Sequence, residues 1–174
     1  MKISSLFFIC SLLFASNINA QNAIPPSYLV KQDFPDSVAN LSLVNFNGEH
    51  VTLGEMIKTY AGKKIIVDMW ATWCADCIVS MPKLDELRKK LNGEKVAFVY
   101  ISVDKEEGKW KKGIERFNIQ GDHYRIETGW YNSLSNYIDL DWIPRYFVVS
   151  EKGRIIFPKA ILADDGALQK LLNE

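Results

Sequence analysis

Cysteines occur at positions 10, 74 and 77 of this 174-residue chain, and the last two form the motif Cys74-Ala75-Asp76-Cys77. Two thiols at that spacing can carry out thiol–disulfide exchange. The reaction needs one thiolate to attack a foreign sulfur and a second thiol close enough to resolve the mixed disulfide. The flanking sequence favours it. Ile65 to Trp70 reads as a short buried strand, and from Asp76 or Cys77 to about Leu91 the pattern is helical. Cys74 would then lie at the helix start, where unpaired backbone N–H groups and the helix dipole stabilise a negative sulfur. Such placement lowers a thiol pKa from about 8.5 into the range of roughly 3.5–7.5. Cys77, on the same side of the first turn but deeper, would resolve what Cys74 attacks.

Other chemistries of a cysteine pair fit less well. Zinc needs two more ligands, and only His50 and His123 are available, neither at ligand spacing. Covalent haem attachment needs a histidine after the second cysteine, and residue 78 is Ile. A static disulfide would close a very small loop and contribute little stability.

The elements that must position this pair follow from the pattern around it. Gln21 to Pro35 holds three prolines and reads as an extended leader. A strand near Leu41–Phe46, the turn Asn47-Gly48 and a return over Glu49–Leu53 predict a hairpin. Thr52 can cap a helix to about Tyr60. In the helix after the cysteines, Ile78, Met81, Leu84, Leu87 and Leu91 share one face; Pro82 should bend it and Asn92-Gly93 should end it. Val96–Val103 is a second buried strand. Helices are expected over Glu106–Phe117 and Trp130–Ile138, with a short strand at Tyr124–Ile126 between them. Tyr146–Val149 and Arg154–Phe157 form a late hairpin of antiparallel edge strands, and Asp164 or Asp165 caps a last helix to Leu172. The central β-α-β implies parallel strands, so the expected fold is α/β, a mixed central sheet flanked by helices on both faces.

Composition is that of a globular protein, with 48% hydrophobic and 24% charged residues. Lys plus Arg and Asp plus Glu are 21 each, so no charge excess points to nucleic acid. Residues 1–20 read as a secretory signal peptide: Met1-Lys2, an apolar run from Leu6 to Ala15, then small polar residues to Ala20. The run is too short to span a bilayer, and the alternative is an uncleaved anchor. Cleavage after Ala20 would remove Cys10 and leave Cys74 and Cys77 as the remaining cysteines, so the sulfur chemistry sits at one place. Residues 36–174 are then one domain.

The stretch Val67-Asp68-Met69-Trp70-Ala71-Thr72-Trp73-Cys74-Ala75-Asp76-Cys77 resembles the active-site strand and turn of the thioredoxin superfamily. Pro82 matches that family's helix proline, and Trp142-Ile143-Pro144 before an apolar run resembles its cis-proline loop. The N-terminal signal, the run Val99–Asp104 and the extra helical segment before Pro144 point to the exported thiol–disulfide oxidoreductases of the TlpA/ResA type, over roughly residues 34 to 173. The resemblance implies a thioredoxin-like fold with an N-terminal β-hairpin and a helical insert before the cis-Pro strand. It also implies catalysis by Cys74 and Cys77 without a cofactor. Pro144 would be cis and face the cysteines, with a trans proline opening an edge strand as the bland alternative. Ile143 would offer its backbone to a client as an added strand. Trp73 would present a flat surface beside the disulfide, rather than pack in the core. Asp68 would take the proton from Cys77 during resolution, rather than be an acid satisfied at a strand end. Implied partners are disulfides of exported proteins and a membrane electron donor; the oligomeric state is not indicated.

Two letters depart from the resemblance. Asp76 stands where a proline is common, and its carboxylate opposes a thiolate on Cys74, which suggests a reductant. Ser80 stands where the TlpA/ResA branch carries a glutamate, which shifts the weight of proton handling to Asp68. Two rival functions remain. A thiol peroxidase would need a threonine three residues before the reactive cysteine, where Ala71 stands. A non-catalytic binding module of the same fold would hold a disulfide that reductants cannot reach.

Overall fold

The computed structural model describes residues 31–91 and 93–173. The expected signal peptide, the first part of the leader and Asn92 lie outside them. A seven-stranded mixed sheet runs in the order β2-β1-β5-β4-β3-β6-β7. In chain order the elements are α1 (Asp36–Ala39), β1 (Ser42–Asn45), β2 (His50–Thr52), α2 (Leu53–Thr59), β3 (Lys64–Trp70), α3 (Ala75–Lys90), β4 (Val96–Ser102), α4 (Glu107–Arg116), β5 (Asp122–Arg125), α5 (Ser133–Tyr137), β6 (Arg145–Val149), β7 (Ile155–Ala160) and α6 (Gly166–Asn173).

Local chemistry explains these boundaries. Gly48 adopts φ 87°, and Asn45 Oδ1 accepts from Asn47 N and Glu49 N, which closes the β1–β2 hairpin. Thr52 and Glu55 form a capping box at the start of α2. Asp165 Oδ1 accepts from the amides of Ala167 and Leu168 and opens α6. The helix α3 continues through Pro82, and Leu91 leaves it in extended geometry, so it stops before Gly93 is reached.

The structure adds a single helical turn at Asp36–Ala39 and changes two expectations. Of the late hairpin only β7 is an edge; β6 pairs with β3 on one side and β7 on the other. The short strand β5 is structural glue: it runs parallel to β4 and antiparallel to β1, and so attaches the N-terminal hairpin to the sheet. Its polar sequence, Asp-His-Tyr-Arg, hid that role from hydrophobic pattern.

The core is a single apolar cluster on both faces of the sheet. β3 and β4 pair in parallel from Lys64↔Val96 to Trp70↔Ser102, and both are almost wholly buried. Consecutive β6 side chains go to opposite faces. Tyr146 reaches Ser80 on α3, and Arg145 reaches the carbonyl of Ile138 at the end of α5. The tail of the leader is tied down. Gln32 O accepts from Ile155 N at 2.7 Å, Asp33 pairs with Arg154, and Lys31 Nζ donates to the carbonyl of Tyr137.

Candidate active site

The central strand β3 ends at Trp70, and the chain turns through Ala71–Trp73 into α3. Asp104, just past β4, holds that turn. Its carboxylate accepts from Thr72 N at 2.9 Å, Thr72 Oγ1 at 2.7 Å and Ser102 Oγ at 2.7 Å, and it is buried. The turn therefore enters the helix at a fixed angle, with Cys74 as the N-cap residue.

Cys74 and Cys77 form a disulfide, with Cα atoms 5.3 Å apart. The amide of Cys77 points at Cys74 Sγ at 3.0 Å. When the pair is reduced, that N–H and the α3 dipole lie where a thiolate on Cys74 would be stabilised. Cys74 is 7% exposed and Cys77 is fully covered, so an incoming sulfur can reach the first and not the second.

The cis-proline loop lies over the same sulfur. The Ile143–Pro144 peptide is cis, and the Ile143 carbonyl oxygen lies 3.5 Å from Cys74 Sγ. Trp73, Cys74, Asp76, Trp130, Trp142 and Ile143 line one groove of about 310 Å³. On the far side of Trp142 a second groove is lined by Val79, Ser80, Pro144, Ile161 and Leu162. Trp73 is 63% exposed and Trp142 57%, so neither is a packing residue of the core. Exposed aromatic faces of this kind mark contact surfaces.

Asp68 lies below, in the middle of β3. It faces Tyr100 of β4 and Tyr146 of β6 across the sheet. Tyr146 hydrogen-bonds Ser80, so this is the face that α3 covers. The Asp68 carboxyl is buried, and neither oxygen has a hydrogen-bond partner among the described residues. Burial alone pushes its pKa well above the usual carboxylate range. The same burial, with Asp68 beside them, pushes Tyr100 and Tyr146 up, so both phenols stay protonated. An acid satisfied at a strand end is not what the structure holds.

The residues expected from sequence thus divide. Cys74, Trp73 and Ile143 meet at one groove, Cys77 is covered and bonded to Cys74, Pro144 lines the neighbouring groove, and Asp68 lies beneath α3. His50 is exposed on β2, while His123 of β5 is buried and stacks on Tyr100. Sequence reasoning missed Trp130, which comes from the insert, and Arg145, a fully buried cation next to Pro144. A signal for Arg145 was present: it is the one charged letter at the head of an apolar strand, Arg-Tyr-Phe-Val-Val.

Known proteins resemble this chain in sequence and in fold. The sequence model of the Redoxin family matches residues 29–161. The chain is 33% identical over 131 residues to the thioredoxin-like protein YneN of Bacillus subtilis, covering 71% of this chain and 67% of that protein. It is 21% identical over 126 residues to the thiol-disulfide oxidoreductase ResA of Bacillus thuringiensis, covering 72% of this chain and 69% of that one. The thioredoxin domain of a thiol-disulfide oxidoreductase from Bacteroides vulgatus superposes with a TM-score of 0.66 at 23% identity, covering 79% of this chain and 96% of that domain.

Proposed function

Because the chain belongs to the Redoxin family, within the thioredoxin superfamily of thiol–disulfide redox proteins, we propose that it reduces disulfides in other exported polypeptides through the Cys74/Cys77 dithiol. The observation that carries this reading is the setting of Cys74. It is the reachable sulfur of the pair, it caps α3, it takes the Cys77 N–H at 3.0 Å, and it faces the Ile143 carbonyl at 3.5 Å. The reaction follows from that setting. The Cys74 thiolate attacks one sulfur of a client disulfide, and the other client sulfur leaves as a thiolate. Cys77 then attacks Cys74 Sγ, giving its proton to Asp68 in the molecules where that buried carboxyl is ionised, and the second client sulfur leaves as a thiolate. Two electrons move to the client and the chain ends as the Cys74–Cys77 disulfide. A dithiol donor in the membrane returns it to the reduced state. Pro144 and Trp73 frame the client segment, and the Ile143 backbone pairs with it.

Export is supported by the sequence of residues 1–20, with its charged start, apolar run and small polar end. Reductive direction is supported by Asp76, exposed in the first turn of α3 and lining the groove beside Cys74. The deciding experiment is insulin reduction with dithiothreitol, comparing wild type with Cys74→Ser and Cys77→Ala. Wild type should accelerate precipitation and Cys74→Ser should not. A wild-type rate equal to that of dithiothreitol alone overturns the activity. A reduction potential near the oxidising extreme of about −120 mV overturns the reductive direction.

A further inference from the structure

Arg145 follows Pro144 directly, yet none of its side chain reaches solvent. Removing a guanidinium from water is costly, and an apolar residue of similar size would suit a buried strand at least as well. What the charge does here is join three elements. Nη1 donates to the carbonyl of Ile138 at 3.1 Å, where α5 ends. Nη2 donates to the carboxylate of Asp141, in the loop that leads to Trp142. Asp141 also accepts from Lys159 Nζ on β7 at 3.0 Å, and the two cations hold its carboxyl below the usual range. The backbone of Arg145 is paired with Met69 on the strand that carries the cysteine turn.

The loop so held has a particular need for it. Ile143 is 5% exposed and anchored by burial, whereas Trp142 stands 57% exposed between the two grooves. Trp142 is joined in the chain to Asp141 on one side and Ile143 on the other, so where those two are held decides where its ring stands.

We propose that Arg145 and Asp141 are positioning residues for client docking: their ion pair sets the Trp142 side chain and the Ile143 carbonyl at the height over Cys74 that an extended client segment requires. This rests on the reading that the clients are polypeptide disulfides. It separates docking, which needs the loop, from the chemistry of Cys74, which depends on the α3 N-terminus and the Asp104-held turn.

The test uses Asp141→Asn, which keeps an acceptor and loses the charge, and Arg145→Met, which removes the buried cation. Each is compared with wild type for KM and kcat on a disulfide-linked peptide, and for the rate at which the reduced protein is alkylated by iodoacetamide, which needs no docking. Both variants should raise KM by about tenfold while kcat and alkylation stay within about twofold of wild type. Arg145→Lys should recover part of the KM. Unchanged KM in Asp141→Asn overturns the proposal, and so does a fall in alkylation that parallels the fall in peptide turnover. If Arg145→Met does not fold, Asp141→Asn decides. Wild type without peptide turnover overturns the underlying reading, and this one with it; wild-type turnover with an unmoved KM overturns the positioning role alone.

Discussion

The hydroxyl of Tyr146 donates to the hydroxyl of Ser80 at 2.9 Å, and Ser80 passes its own proton toward the carbonyl of Cys77 at 2.7 Å. Tyr146 also lies directly across the sheet from Asp68. The position that departs from the TlpA/ResA pattern thus supplies a neutral link between α3 and the strand beside the buried acid. Deleting one end should leave the other unpaired. Ser80→Ala and Tyr146→Phe should each cost about 1 kcal/mol, and the double variant less than the sum. Urea unfolding of the three proteins checks this; strict additivity would contradict it.

Asp68 should show its burial in the pH dependence of stability. Its folded pKa is raised, against about 3.9 in an unfolded chain. Below about pH 4 both states keep the proton and the carboxyl carries no ionisation penalty. As pH rises toward the folded value, the unfolded state ionises and the folded state does not, so stability is lost. Asp68→Asn should therefore be more stable than wild type at neutral pH, by about 1–3 kcal/mol, and the difference should vanish near pH 4. Thermal melts across pH 3.5–8 read it directly. The same variant should slow resolution of a trapped mixed disulfide by about 10²-fold. Wild-type kinetics in that variant would remove Asp68 from the reaction.

Gly113 offers a test of how tightly α4 supports the cysteine turn. A Cβ there would collide with the side chain of Thr72 and approach Trp70. Gly to Ala inside a helix ordinarily stabilises by about 0.5–1 kcal/mol. Here overpacking should win, and Gly113→Ala should lose about 1–3 kcal/mol. A higher melting temperature for this variant would show that Thr72 has room to yield.

Asp104 accepts three hydrogen bonds at the turn before Cys74. Asp104→Ala would leave the half-buried Thr72 amide and the buried Ser102 hydroxyl without that acceptor. Destabilisation of about 2–4 kcal/mol is expected, with faster alkylation of the reduced pair as the turn loosens. Guanidinium unfolding and iodoacetamide kinetics measure the two effects.

Asp76 sits in the first turn of α3 beside Cys74. Asp76→Asn should favour the Cys74 thiolate, stabilise the reduced protein and raise its reduction potential by about 10–30 mV. Equilibration with glutathione buffers gives the value, and a lower potential would reverse the role assigned to Asp76.

Much of this was legible in the chain. Cys74 and Cys77, the strands β3, β4 and β6 and the helices α3 and α4 announce themselves by apolar period and by turn chemistry. β5 was legible only as a short strand at Tyr124–Ile126; its start at Asp122 and its place between β1 and β4 were not, because its four residues are held by hydrogen bonds to two strands distant in sequence rather than by apolar alternation. The extent of β7 was also hidden. Pro158 interrupts its pattern, and the strand continues past it only because an irregularity shifts the register opposite Tyr146 and Val148. Trp130 was invisible as a site residue, since what places it is the fold of the insert over the sheet, whereas Arg145 left its one trace as a charged residue at the head of an apolar strand.

The two margins of the sheet are both poor templates for strand addition. One margin, β2, is three residues long. The other, β7, carries Pro158 and a broken register. A bare strand from a misfolded neighbour finds no long, regular ladder to join at either, which is how sheets resist aggregation. Such blunted borders protect the sheet from edge-to-edge capture by extended chains.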